Sequence, residues 1–155
     1  MRGKAAKQRP ITPDAKYNST VVAKLINHLM LRGQKLTSTT AVYKAMDRAE
    51  KELKQPALDV LDQALKNIAP MVEVKSKRVG GATYQVPIEV KSNRKQTLAM
   101  RWMIEAARSA KGTIDKTLGD EIVSAYKGEG ASIKKREDVH RMAESNKAFA
   151  HYARF

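Results

Sequence analysis

Between Met71 and Val90 the chain reads MVEVKSKRVGGATYQVPIEV, two runs dense in β-branched residues on either side of Gly80-Gly81. A tight two-residue turn needs backbone φ angles that glycine adopts without steric cost, so this pattern predicts a β-hairpin. With Gly80 and Gly81 as the turn, Val79 faces Ala82, Lys77 faces Tyr84 and Lys75 faces Val86. Arg78 then stands on the other side, across from Thr83 and Gln85. Each face mixes cations with apolar or aromatic groups, and Pro87 restricts its strand to an edge. Roughly eight residues per strand at about 3.3 Å each give a ribbon roughly 25 Å long. An isolated two-stranded ribbon is marginal in water, so this one needs either an external partner or its own domain to lie on. This stretch alone leaves the two readings even.

The remaining chain is helical in pattern. Asn18 or Ser19 can cap a first helix whose stripe is Val22, Leu25, Ile26, Leu29 and Met30, ended by Gly33. A second begins near Ser38, buries Val42, Ala45, Met46, Ala49 and Leu53, and stops before Pro56. Pro56 opens a third, with Leu58, Leu61, Ala64, Leu65 and Ile68 inward, which runs to Pro70. A fourth starts at Ser92 and buries Leu98, Trp102, Met103, Ala106 and Ala107, leaving Arg94, Arg101 and Arg108 outside. A fifth spans about Asp115 to Lys127. A sixth starts near Ser132 and continues through KKREDVHRMAESNKAFAHY on a thin apolar stripe. The expected fold is all-α: one six-helix domain over residues 17–155, with the hairpin at 71–90 inserted between helices 3 and 4. Residues 1–16, rich in cations and proline, read as a flexible basic arm that orders on a partner.

Charge narrows the function. Lys and Arg number 30 against 16 Asp and Glu, a net charge of +14. Such an excess draws a chain to polyanions, nucleic acid before membrane. The cations recur on segments flanking the helical core: Arg2, Lys4, Lys7 and Arg9 in the arm, Arg32 and Lys35 in the first turn, and Lys75, Lys77 and Arg78 on the hairpin. Lys91, Arg94, Lys95 and Arg101 gather around the start of helix 4, and Lys134, Lys135 and Arg136 open helix 6. Any one of these lysines is most simply a solvated charge; the set, with so few carboxylates to pair it, is not. Cations at a helix start oppose its dipole, which an external phosphate would relieve. Tyr84 offers a ring for base stacking, and the hairpin glycines allow close approach of backbone to a strand. Major-groove readers have other signatures, so RNA read through shape, phosphate and unstacked bases fits best.

Other classes fit poorly. There is no cysteine, hence no disulfide, thiolate nucleophile or thiol-bound zinc, in keeping with a reducing compartment. No phosphate-binding loop or paired-histidine metal spacing occurs. His28 lies beside the stripe of helix 1 and reads as structural, while His140 and His151 fall among cations. The most apolar run, Val21 to Leu31, is short and broken by Lys24, Asn27 and His28, too little to cross a membrane. The basic start lacks the apolar region of a secretory signal. The expectation is a cytoplasmic, non-enzymatic protein with no cofactor, metal or small-molecule substrate. A basic protein coating DNA or membrane is the alternative from another class, separable by duplex-DNA competition.

The block KSKRVGGATYQVP (Lys75 to Pro87) closely resembles the bacterial-type family of small-subunit ribosomal protein seven. Tyr17-Asn18-Ser19, Gln63 to Asn67, Leu98 to Trp102, Lys134 to Asp138 and His140 to Tyr152 agree in order and spacing, so the resemblance covers the chain from Asp14 onward. It implies a helical domain with a protruding ribbon that binds the 3′ major domain of small-subunit ribosomal RNA and nucleates assembly of the subunit head. It further implies a position near the exit site, with ribbon and C-terminal helix approaching exit-site transfer RNA and messenger RNA, and small-subunit proteins nine and eleven as neighbours. By position, Lys75, Lys77 and Arg78 would grip RNA. Gly80 and Gly81, with Arg78, Thr83 and Tyr84, would face transfer RNA, as would His140, Arg141 and Met142 from the last helix. Some members repress their own operon's messenger, which leaves a dedicated messenger repressor as the other RNA-binding reading. Two departures stand out: Ala15-Lys16 where the family usually has proline after aspartate, and Ala153 before Arg154, which touches the expected contacts of the tail.

Overall fold

The computed structural model describes Gly3 and residues 9–154. Six α-helices follow in order: α1 (Thr20–Leu29), α2 (Lys35–Leu53), α3 (Ala57–Ile68), α4 (Ser92–Ser109), α5 (Ile114–Tyr126) and α6 (Ala131–Ser145). Between α3 and α4 two antiparallel strands, β1 (Val72–Val79) and β2 (Ala82–Glu89), form the hairpin. The expected all-α domain with an inserted hairpin is the observed one. A 3₁₀ helix, η1 (Lys147–Arg154), is the last element among the described residues.

The core is aliphatic, as a chain poor in aromatics requires. Amphipathic stripes converge on α5, which packs against α2, α3 and α4. Val22, Val42, Val60, Leu61, Ile68, Met100, Met103, Leu118 and Ile122 are essentially inaccessible to solvent. The α2–α5 crossing is the tightest. A Cβ on Gly119 would lie 3.2 Å from the Ala45 carbonyl oxygen and 2.9 Å from Cδ of Arg48, so glycine there lets two backbones touch.

Local chemistry explains most boundaries. The Ser19 hydroxyl accepts from the Val21 amide at 3.2 Å and caps α1. That helix ends at Leu29, earlier than the Gly33 stop suggests, because Met30 already leaves the helical conformation (φ −59°, ψ 133°), and Arg32 and Gly33 then turn with positive φ. α2 begins at Lys35, ahead of the expected Ser38: the Ser38 hydroxyl donates back to the Gln34 carbonyl inside the helix instead of capping it. Pro56 is the N-cap of α3, and Ser92 opens α4 as expected. The long sixth helix is corrected. It stops at Ser145, where the Asn146 side chain takes the Met142 carbonyl, and the AFAHY segment continues as η1 against β2.

Residues 14–17 are tied down. Asp14 is buried; its carboxylate accepts from the Tyr43 hydroxyl at 2.6 Å and from the amides of Lys16 and Tyr17 at 3.1 Å. Burial opposes its charge, but these hydrogen bonds outweigh burial and hold the carboxyl below its usual range. Beside it Asp47 accepts from Lys16 at 2.5 Å and Tyr17 at 3.0 Å, which depresses its carboxyl too. Among the arm cations, Arg2, Lys4 and Lys7 lie outside the described residues, and Arg9 is exposed.

Candidate nucleic-acid interface

The hairpin register is the expected one: Val79↔Ala82, Arg78↔Thr83, Lys77↔Tyr84 and Lys75↔Val86. Gly80 (φ 57°) and Gly81 (φ 89°) supply the two positive φ angles of the turn. Because successive side chains alternate, the ribbon has two unlike faces. One carries Ser76, Arg78, Thr83 and Gln85, all exposed, with Ser76 and Gln85 hydrogen bonded across the strands at 3.2 Å. The other carries Lys75, Lys77, Tyr84 and the buried Val86.

That second face is engaged from within the chain. Tyr84 meets the rings of Phe149 and Tyr152, each centroid 5.2 Å away, and Lys77 donates to the Tyr152 carbonyl at 2.9 Å. The stacking platform expected at Tyr84 is therefore occupied by η1. Of the two hairpin readings, packing on its own domain holds for this face, while the other face, with Arg78, stands open.

At the ribbon's root Glu73, largely buried, lies 3.3 Å from both Lys75 and Arg94. This shared carboxylate joins β1 to the start of α4 and brings together two cations from separate parts of the sequence. Lys91 and Lys134 and Lys135 are exposed, whereas Lys95 is half-buried. Arg136 is different. It donates to the Asn67 carbonyl at the end of α3 and pairs with Glu137 at 3.5 Å, so much of its charge is spent on the fold. Asn67 in turn donates to the carbonyls of Ala125 and Tyr126 at 2.9 and 3.1 Å, tying together the ends of α3 and α5 with α6. An internal group also meets the start of α6: Glu121 accepts from the Ser132 amide at 2.9 Å and hydroxyl at 2.5 Å. The phosphate invoked to offset cations near that helix start thus has a carboxylate already in place.

In α6, His140 Nε2 accepts from the Met71 amide at 3.1 Å, which requires a neutral ring. Burial, then the nearby Arg136 charge, holds its pKa below the usual histidine value. Arg141 and Met142 are exposed, Arg141 pairing with Asp138 at 2.5 Å. His28 lies beside the packed stripe of α1, on its exposed side. Desolvation by surrounding atoms, then Arg101 and Lys24, lowers its pKa.

Around it runs a basic groove between α1 and α4, lined by His28, Arg101, Ile104, Glu105, Arg108 and Ser109. Lys24 borders it and donates to Gln96 at 2.9 Å. Arg108 both lines the groove and donates to the Leu29 carbonyl at 2.9 Å, closing the end of α1. Lys24 and Arg108 escaped the sequence-based set; the signal was Lys24 interrupting an apolar run, with Arg108 seven residues beyond Arg101. Arg32 in the α1–α2 turn and Lys35 at the start of α2 are exposed, beside Leu31 and Leu36, which are 59% and 81% exposed.

Open cations thus stand on the ribbon tip, at the start of α4, along the α1–α4 groove and at the α1–α2 turn, all held by one helical core. Residues 1–147 match the family model described as ribosomal protein S7p/S5e. Proteins called small ribosomal subunit protein uS7 are similar over nearly their whole lengths. The one from Chloroflexus aggregans is 55% identical, covering 95% of this chain and 94% of its own. That from Chromohalobacter salexigens is 52% identical over 97% of both, and that from Thermosipho africanus 52% over 98% and 99%. With a match of that extent laid over a helical core and basic ribbon, the chain belongs to the ribosomal protein S7p/S5e family, and with it to the structural, non-enzymatic proteins of the ribosome.

Proposed function

We propose that the chain clamps the 3′ major domain of small-subunit ribosomal RNA, nucleates assembly of the subunit head, and there borders exit-site transfer RNA and messenger RNA, with small-subunit proteins nine and eleven beside it. The observation that carries this reading is the ribbon's open face. Arg78 and Thr83 pair across the strands next to the Gly80-Gly81 turn, exposed, at the end of an arm whose root is bonded to the core. A rigid base with cations on several edges suits an RNA of fixed shape. Phosphate neutralisation supplies much of the affinity, and the spacing of the basic elements supplies selectivity. Close packing at Gly119 and side-chain hydrogen bonds to helix ends keep that spacing constant. Phosphate-facing roles fall to Arg32, Lys35, Arg78, Lys91, Lys95, Arg101, Lys134 and Lys135; Lys75 and Arg94 share Glu73, and Lys77 and Arg136 serve the fold as well.

The test is binding to a 3′ major domain fragment at two salt concentrations, against duplex DNA and an unrelated structured RNA. Binding that survives both competitors is the expected result. Equal loss to every polyanion would leave only nonspecific charge attraction.

A further inference from the structure

The C-terminal 3₁₀ helix has no part in the clamp just described, yet it holds the ribbon. Val86 and Val90 bury the ribbon's root. Farther out the strands would have little but each other, and a free two-stranded ribbon is marginal. η1 packs along β2 and reaches both strands at the cross-strand pair Lys77↔Tyr84, two pairs inward of Val79↔Ala82. The Tyr84 ring packs on Phe149 and Tyr152, and those two rings are nearly parallel, 14° apart at 6.4 Å. On the facing strand the Lys77 ammonium reaches the Tyr152 carbonyl. One short helix therefore grips both strands, one through aromatic rings and the other through a charge-assisted hydrogen bond. All four residues are half-buried, on the face opposite Arg78.

We infer that Phe149 and Tyr152 are positioning residues, a latch that orders the ribbon for RNA before RNA arrives; this rests on the RNA-binding reading above. A ribbon whose direction fluctuates must be ordered on binding, and that ordering lowers affinity. The latch removes the cost in advance. It acts on order rather than on phosphate charge, so its loss weakens binding without changing the salt dependence, whereas losing a phosphate contact changes both.

The experiment uses the full chain carrying Phe149→Ala and Tyr152→Ala together. Amide hydrogen exchange is followed in the RNA-free protein, and binding to the 3′ major domain fragment is measured at two salt concentrations. The expected result is exchange at 76–83 faster by roughly tenfold, with α2 and α5 amides unchanged. RNA affinity falls by a similar factor at unaltered salt slope. Tyr152→Phe should match the parent, because Lys77 bonds a backbone carbonyl and the ring remains. If α5 exchange shows that the double variant unfolds, Tyr84→Leu breaks the same ring cluster from the ribbon side and must give the same pattern. Unchanged ribbon exchange overturns the latch. Lost affinity without faster exchange makes the rings RNA contacts instead, and faster exchange with full affinity severs ribbon order from binding. Should the parent chain fail to prefer the RNA fragment over its competitors, the clamp reading falls, while the exchange experiment still decides the latch.

Discussion

A few side chains hold disproportionate responsibility. Asn67 bonds two carbonyls at the end of α5 while its own carbonyl receives Arg136. Asn67→Ala takes that donor from the Tyr126 carbonyl, while Ala125 keeps the Gly128 amide, and a loss of about 1–3 kcal/mol is expected by denaturant titration. The histidines give a pH limb. His28 and His140 both have folded pKa values below the ordinary 6.5. As pH falls through 6.5 the unfolded chain takes up protons that the folded chain refuses, so stability declines until the folded values are reached. Thermal melts should therefore drop as pH falls below about 7, and a His28→Gln, His140→Gln variant should flatten that limb. Asp14 and Asp47, depressed in the fold, act lower: their contribution is complete above the unfolded value of 3.8 and disappears as pH falls through their folded values.

Among elements, the α2–α5 crossing and the ribbon make opposite demands. At the crossing the backbones already touch, so Gly119→Val must push Ala45 away; a cost of about 1–3 kcal/mol is expected from overpacking, read as a lowered melting temperature. The ribbon tolerates change at its open face because nothing in the fold leans on it. Arg78→Glu should leave the melting temperature unaltered while weakening binding to the RNA fragment and reducing the salt slope by about 0.7 to 0.9 per lost phosphate contact. Parental affinity in that variant would count against the ribbon as a gripping arm. Both strands and their register were legible in advance, since Gly-Gly between β-branched runs permits essentially one turn. The termination of α6 was not. Val139, Met142, Ala143 and Ala150 keep a helical spacing past Asn146, but beyond it the chain turns as η1 and packs Phe149 and Tyr152 on Tyr84, a contact between distant segments.

For the molecule as a whole, charge sets the range of attraction and the core sets its geometry. Removing residues 2–10 deletes four cations, and the salt dependence of RNA binding should flatten by roughly 3 units if each meets a phosphate. An unchanged slope would mean the arm takes no part. By itself the sequence determined the helical class, the inserted hairpin, the aliphatic core and the polyanion-seeking charge, because periodicity, turn chemistry and net charge are local or additive properties. Which cations remain open was decided only by tertiary structure. Arg136 reaches a carbonyl 69 residues away, and Lys77 one 75 residues away. Lys75 and Arg94 share one acid, and Arg78 is left facing outward by the alternation of a strand whose other side is covered. Pairing depends on which distant backbone or carboxylate comes within hydrogen-bond reach, and no spacing along the chain encodes that distance.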